Sequence, residues 1–511
     1  MSHNLYALLS SRFDQHRDRP FLISPTDGGP TLTYTDVDHR SAAIATALRQ
    51  AGAQPGDRLV AQVDKSHDAV ALYLACLRSG LVYVPLNTAY TAEEVGFFIG
   101  DAEATVFVFG TDREAKLRPV ADLAGIPILY SLGADGDGSL AKAADDVVTH
   151  DAVEHDIIER EPDDLACMLY TSGTTGRSKG AMLTHANLAS NGLALHRIWG
   201  WREGDVLLHT LPIFHVHGLF VALHCAVLNA SPVIFCSRFD AAEVRANLAR
   251  ATVLMGVPTH YSRLLGDAEF GPSDCESIRL FTSGSAPLTP EVFKAFTTRT
   301  GHTICERYGM TETGILTSNP PEGKRIAGTV GYALPGVALR VVDETDTERG
   351  PDEIGSVQVK GPNVFPGYWR LPDKTAEEMT ADGYFRTGDI GSLSTDGRLS
   401  LVGRSSDMII SGGYNVYPKE IELLLDAVDG VTETAVVGVP HPDFGEGVVA
   451  FVVADDGAVI AGEQLDASLT DRVARFKQPK HYVFMDELPR NAMGKVQKSI
   501  LRADNAELFT D

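Results

Sequence analysis

Apolar and polar positions over the first 320 residues fall into two alternating textures. Short runs such as RLVAQV (58–63), VYVPL (82–86) and TVFVFG (105–110) are brief and rich in β-branched and aromatic residues, and they are read as strands. Between the first two lies SHDAVALYLACLRSG (66–80), apolar at helical spacing, with Ser66 placed to cap its first turn and Gly80 just past its last. This βα rhythm predicts a mainly parallel sheet covered by helices. The weakly charged run GLFVALHCAVLNASPVIFC (218–236) is broken by Asn229, Ser231 and Pro232. It predicts a buried helix followed by a buried strand, not a membrane span. The Gly/Asp/Ala-rich stretch LGADGDGSLAKAADD (132–146) is expected to be a surface loop.

The texture changes after about residue 320. VALRVVDE, GSVQVKG and RLSLVGR are short alternating strands separated by Gly, Pro and Asp turns, which predicts a smaller β-rich region. From 408 onward a second compact unit is expected. It contains a helix at PKEIELLLDAV, strands at ETAVVGV, GVVAFVVA and HYVFMDEL, and a helix through ASLTDRVARF. The fold class is therefore α/β: a large N-terminal domain of α/β subdomains plus a β-rich subdomain, and a small α+β C-terminal domain. The junction falls at GRSSD, 403–407.

Composition narrows the chemistry. A chain of 511 residues is too long for one ordinary core, which supports the division. The net charge of −24 argues against nucleic acid or an anionic membrane as partner, although a local cluster of cations can still hold a small anion. The six cysteines include no CxxC pair and sit mostly in apolar runs, as buried reduced thiols of a cytoplasmic protein do. The N-terminal segment MSHNLYALLSSRFDQHRDRP has no long apolar stretch and carries acids, so no signal peptide is expected.

The stretch YTSGTTGRSKG (170–180) follows the strand ACMLY and precedes the helical run THANLASNGLALHRIW. A glycine loop between strand and helix, with hydroxyls and the cations Arg177 and Lys179, suits an oxyanion. It is not a Walker A loop, because Lys179 lies three past Gly176 and is followed by Gly180.

This loop resembles the signature of the adenylate-forming superfamily, and the likeness recurs in order: FTSGSAPL (281–288), ERYGMTET (306–313), YFRTGDIG (384–391), GRSSDMIISGGYNVYPKEIE (403–422) and LPRNAMGKVQK (488–498). The resemblance implies ATP, Mg2+ and coenzyme A. It implies an N-terminal domain at 1–403, a hinge at 404–407 centred on Ser406 and Asp407, and a mobile C-terminal domain at 408–511. It implies that Thr171, Ser172, Gly173, Thr174, Thr175, Gly176 and Lys179 cradle the phosphates. Glu312 would hold the metal and Thr311 the α-phosphate. Ser285, Ala286 and Pro287 would bracket adenine opposite Tyr308, with Glu306 beside them. Asp389 would accept from both ribose hydroxyls and Arg404 would assist. Lys495 would bridge the acid's carboxylate and the α-phosphate, and Gly412 and Gly413 would line the pantetheine passage.

Two further runs address the acid. FHVHG places His215 and His217 two apart, so that on a strand they would share a face. GVPTHYSR places Arg263 where superfamily members with fatty or aryl acids have an apolar pocket floor. Spacing alone leaves two readings open: a pocket cation or a residue on a solvent face. These runs, with ERYGMTETG and TSNP, are similar to malonyl-CoA synthetases. That resemblance implies that Arg263 grips the distal carboxylate of malonate, with Val216 and Met310 flanking the central carbon, His215 gating the pocket and Ser283 beside it. Methylmalonate is implied as a second substrate. The expected partners are small molecules, with no nucleic acid or membrane, and the expected state is a monomer or weak dimer. A fatty or aryl acyl-CoA ligase, an enzyme loading a carrier protein, and a non-catalytic nucleotide binder are the alternatives.

Overall fold

Four sheets organise the chain in the computed structural model, which describes residues 3–13, 15–171, 178–455, 457–470, 472–491 and 494–509. The first has six strands in the order Ile128–Ser131, Val106–Phe109, Arg58–Gln62, Val82–Pro85, Leu165–Thr171 and Lys179–Thr184. All its pairings are parallel except the last, an antiparallel hairpin. The second has nine strands, parallel through its centre from Pro20–Ile23 to Cys305–Met310 and antiparallel at both edges. Strands buried on both faces read as continuous apolar runs, which is why VFVF (106–109) is buried at every position.

The helix His67–Ser79 forms as its sequence predicts, with the Ser66 side chain accepting a hydrogen bond from the Ala69 amide. The run at 218–236 is a buried π-helical segment (His217–Leu223), then an α-helix (His224–Leu228) and the strand Val233–Phe235. One apolar core joins the facing sides of both α/β sheets, from Leu59 and Tyr83 on the first to Leu207, Val253 and Leu280 on the second.

The β-rich region is a four-stranded antiparallel sheet, Ala338–Val342, Gly355–Lys360, Phe385–Leu393 and Leu399–Arg404. Its last strand ends at Arg404, and a 3-10 turn, Ser405–Asp407, leads into the C-terminal sheet. There Val431–His441 and Gly445–Ala454 pair along their length, with alternate residues feeding two separate cores. All six cysteines are free and buried. Among the described residues no helix is long and apolar enough to cross a membrane.

Two local expectations are corrected. Residues 139–149 of the expected loop form a helix, because Leu140, Ala141, Ala144 and Val147 make one apolar stripe; only the Gly/Asp-rich part is a turn. In the C-terminal domain the helix lies at Gly462–Leu469, ahead of the expected ASLTDRVARF, whose end is a 3-10 turn at Arg475–Lys477.

Candidate active site

The strand before the glycine loop, Leu165–Thr171, pairs antiparallel with Lys179–Thr184, which sets Thr171 opposite Lys179. This corrects the strand–loop–helix reading. The helix starts only at His185, capped by the Thr184 side chain. Ser172, Gly173, Thr174, Thr175 and Gly176, with Arg177, lie outside the described residues.

Lys179 anchors one end of a polar chain. Its Nζ lies 3.1 Å from Glu378 Oε1 and 4.1 Å from the centre of the Tyr368 ring. The Tyr368 hydroxyl sits between two carboxylates, 2.7 Å from Glu378 and 3.0 Å from Glu312. Glu312 is only 5% exposed, and burial pushes its carboxyl above the ordinary value despite Tyr368 and the charges of Arg404 and Lys179. A buried carboxylate of this kind suits a hard divalent cation. Among the described residues no cluster of three His, Cys, Asp or Glu side chains could hold a metal ion.

The ribose-type site is built on the four-stranded sheet, where Asp389 and Arg404 are paired residues on neighbouring strands. Arg404 Nε is 2.8 Å from Asp389 Oδ1, and the Tyr308 hydroxyl donates to Asp389 Oδ2. Asp389 is 6% exposed, and its carboxyl is raised by burial and drawn back by Arg404 and Tyr308. Lys495 enters the same field. Its ammonium is held below the ordinary lysine value by desolvation first and by Arg404 second, while Asp389 and Asp407 act in the opposite sense. The loop that carries it packs on the large domain: a Cβ at Gly494 would sit 2.9 Å from Thr259 Oγ1.

On the adenine side, Ser285 adopts a left-handed φ of 71°, unusual for a residue with a Cβ and a mark of local strain. Its Oγ lies 3.3 Å from His217 Nδ1. Ala286 is half-buried and Pro287 exposed, near the buried Tyr308. Glu306 is buried, with one oxygen accepting weakly from the Leu288 amide and the other without a partner; burial lifts its carboxyl to about 8. Gly412 and Gly413 form the exposed two-residue tip of the hairpin Ile409–Ser411/Tyr414–Val416, with φ of 60° and 82°. A tight hairpin turn of that hand calls for glycine on its own account, and the tip faces solvent in this arrangement.

The acid side differs from expectation in two respects. His215 and His217 do not share a strand face; they lead into the π-helical segment, and burial lowers His215 to about 4. Arg263 is exposed, not a buried floor, because the helix Pro258–Leu265 turns His260, Tyr261 and Leu264 inward. It lies one turn after Thr259 on the same face, which puts it near the seam with the Lys495 loop. Val216 and Thr311 line one small cavity of about 10 Å³, the room of a single water. Met310 is half-buried and Ser283 fully buried with an unpartnered hydroxyl.

Sequence reasoning missed Tyr368, Glu378 and Thr259, which carry no motif signal. It also missed Arg307, although a cation inside a central strand, CERYGM, was a signal available to it.

Comparison with known proteins accounts for this arrangement. Residues 9–369 match the AMP-binding enzyme family, and residues 420–495 match the AMP-binding enzyme C-terminal domain. The chain belongs to the AMP-binding enzyme family, the adenylate-forming class that the site defines. It is 47% identical to ATP-bound MatB from Rhodopseudomonas palustris, covering all of both chains with a TM-score of 0.95. Against the apo form of that protein, at the same identity and coverage, the TM-score is 0.84. It is also 34% identical to a mitochondrial malonate–CoA ligase of Mus musculus, over 92% of this chain and 86% of the relative. It is 34% identical to a sulfoacetate–CoA ligase of Cupriavidus necator, over 97% and 96%.

Glu306 gives a stability test. In the fold it keeps a proton that the unfolded chain releases near 4.5, so stability falls as pH rises from there to about 8 and is level beyond. Glu306→Gln removes that slope. Its thermal midpoint should overtake the wild type's progressively across this window; midpoints that move in parallel would contradict the burial of an uncompensated carboxyl.

Proposed function

We propose that this enzyme ligates malonate to coenzyme A in two steps at the expense of ATP. In the first, a malonate carboxylate oxygen bonds to the α-phosphorus as the bond to pyrophosphate breaks, giving malonyl-adenylate. In the second, the CoA thiol displaces AMP. The observation that carries the reading is the convergence of Lys495, Asp389 and Arg404 across the two domains, in an arrangement closer to ATP-bound MatB than to its apo form. The choice of acid is supported by likeness to MatB and to malonate–CoA ligases along most of the chain.

Each role follows from the chemistry of these side chains. Lys495 brings a fixed positive charge to the point where carboxylate and α-phosphate, both anionic, must meet. Thr171, Ser172, Gly173, Thr174, Thr175, Gly176 and Lys179 hold the outer phosphates; Thr311 holds the α-phosphate. Glu312 would hold Mg2+, which neutralises phosphate charge when bound. Asp389, released in part from Tyr308, receives the ribose diol, and Ser285 to Pro287 with Tyr308 and Glu306 enclose adenine. His215, neutral at physiological pH, closes the acid chamber beside Val216, Ser283 and Met310. Rotation about Ser406 and Asp407 then withdraws Lys495 and turns the Gly412–Gly413 tip inward to admit the thiol. Arg263, exposed near the seam, attracts the dianionic acid from solvent.

Three outcomes test this. Pyrophosphate release across a panel of acids should favour malonate, then methylmalonate, over acetate, butanoate, benzoate and sulfoacetate; a wide lead by any of the latter four overturns the substrate assignment. Lys495→Ala should lower ATP–pyrophosphate exchange about 10²- to 10³-fold with an unchanged thermal midpoint. In the wild type, exchange should fall as pH rises through a value below the ordinary 10.5 of lysine, because the charged form is required and its pKa is depressed. Exchange that persists in the variant removes Lys495 from the first step. Arg263→Ala should raise the KM for malonate only several-fold, since an exposed cation contributes about 1 kcal/mol or less; a loss of a hundredfold would place Arg263 inside the chamber.

A further inference from the structure

A lysine that must bring its ammonium to one phosphorus needs the segment carrying it held in place. Arg490 and Val496 pair as an isolated antiparallel bridge, so the chain doubles back around Lys495. The Asn491 amide donates to the Lys495 carbonyl at 3.0 Å, the Gly494 amide donates to the Asn491 carbonyl at 2.8 Å, and the Lys495 amide donates to Asn491 Oδ1 at 3.0 Å. Gly494 takes a left-handed φ of 72°, which favours glycine beside the lysine. These bonds set the shape of the loop but not its place on the domain.

Two ion pairs set that place, one on each side of Lys495. Ahead of it, the Arg490 guanidinium spans two groups: Nη1 donates to the Gly494 carbonyl at 2.6 Å, and Nη2 pairs with Glu433. Behind it, Lys498 Nζ lies 2.5 Å from Glu422 Oε1. Glu422 is 6% exposed on the helix Pro418–Leu425, and the same oxygen accepts from the Val436 amide at 3.0 Å. Glu433 and Val436 both belong to the strand Val431–His441. Arg502, on the helix Lys498–Asp504, donates from Nε to the Gly438 carbonyl of the same strand at 3.1 Å. Both flanks of the loop are therefore tied to one strand, and the charge of Lys498 bears on Lys495. Every one of these residues lies beyond the junction at 404–407, so the ties travel with Lys495.

We propose that Arg490 and Lys498, with their partners Glu433 and Glu422, are positioning residues for the first step, holding Lys495 where the acid's carboxylate meets the α-phosphate. This rests on the reading of Lys495 in the proposed function, but on no particular acid. The four side chains act through the loop and touch neither ATP nor acid. A charge displaced by about 1 Å can cost about 10²-fold in rate, so the loop's anchorage bears directly on adenylation. The thiol step, from which Lys495 is withdrawn, does not draw on it.

The test measures both half-reactions in wild type, Lys495→Ala, Arg490→Met, Arg490→Lys and Lys498→Met. ATP–pyrophosphate exchange with malonate reads the first step; conversion of synthetic malonyl-adenylate and CoA to malonyl-CoA reads the second. Should the wild type exchange only with another acid of the panel, that acid and its adenylate take malonate's place. Arg490→Met and Lys498→Met should each slow exchange about tenfold or more, in kcat and not in the KM for ATP or the acid, with the second step unchanged. Arg490→Lys, which can hold Glu433 or the Gly494 carbonyl but not both, should fall between wild type and Arg490→Met. Lys498→Met deprives the buried Glu422 of its nearest cation; if that variant fails to fold, Arg490→Met decides, because its ion pair is only partly buried. Equal losses in the two steps would make the pairs structural supports of the domain and overturn the assignment. So would exchange at the wild-type rate in Arg490→Met when Lys495→Ala is slow. Undiminished exchange in Lys495→Ala would refute the reading of Lys495 and this assignment with it.

Discussion

A guanidinium without a counterion inside a folded protein is an unusual constraint, and among the described residues Arg307 has no ion pair. Removing one partner of a buried ion pair costs about 3–5 kcal/mol, which gives the scale of that constraint. The surrounding structure must tolerate that cost, and it does so with a glycine at 284, strained backbone at Ser285 and a π-helical segment carrying His217. Each of these features is locally unfavourable.

The nucleotide side uses the opposite device. Its carboxylates are buried and already engaged: Asp389 by Arg404 and Tyr308, and Glu312 by Tyr368. Their protein partners hold position for groups that ligands then share or replace. Lys495 arrives from another domain, on a loop seated against Thr259. On the proposed mechanism that separate unit withdraws Lys495 once the adenylate exists, turning about the short 3-10 segment between Arg404 and the C-terminal sheet. The domain's own cores let it move without unfolding.

Much of this was legible in the chain. Short apolar runs and capping located four of the six strands of the first sheet and the helix at 67–79, because those elements are decided by burial and local hydrogen bonds. The ordered motifs named Lys179, Glu312, Tyr308, Asp389, Arg404 and Lys495, and the structure brings the last four into one neighbourhood. What stayed hidden was set by tertiary pairing. Nothing local shows that GAMLT joins ACMLY as a hairpin, so the phosphate loop was read as leading into a helix. FHVHG was read with a strand's period, although the segment enters a π-helix. Arg263 drew attention because its motif was recognisable, yet helix geometry turns it outward. Arg307, a cation inside the strand Cys305–Met310, was passed over within the motif ERYGMTET.

The central claim is that Lys495 meets the acid's carboxylate at the α-phosphate. A crystal structure of the full chain with malonate and a non-hydrolysable ATP analogue tests it most directly. The account predicts one malonate carboxylate between Lys495 and the α-phosphate, with the ribose diol on Asp389. Malonate bound elsewhere, or Lys495 turned away from the α-phosphate, would contradict it.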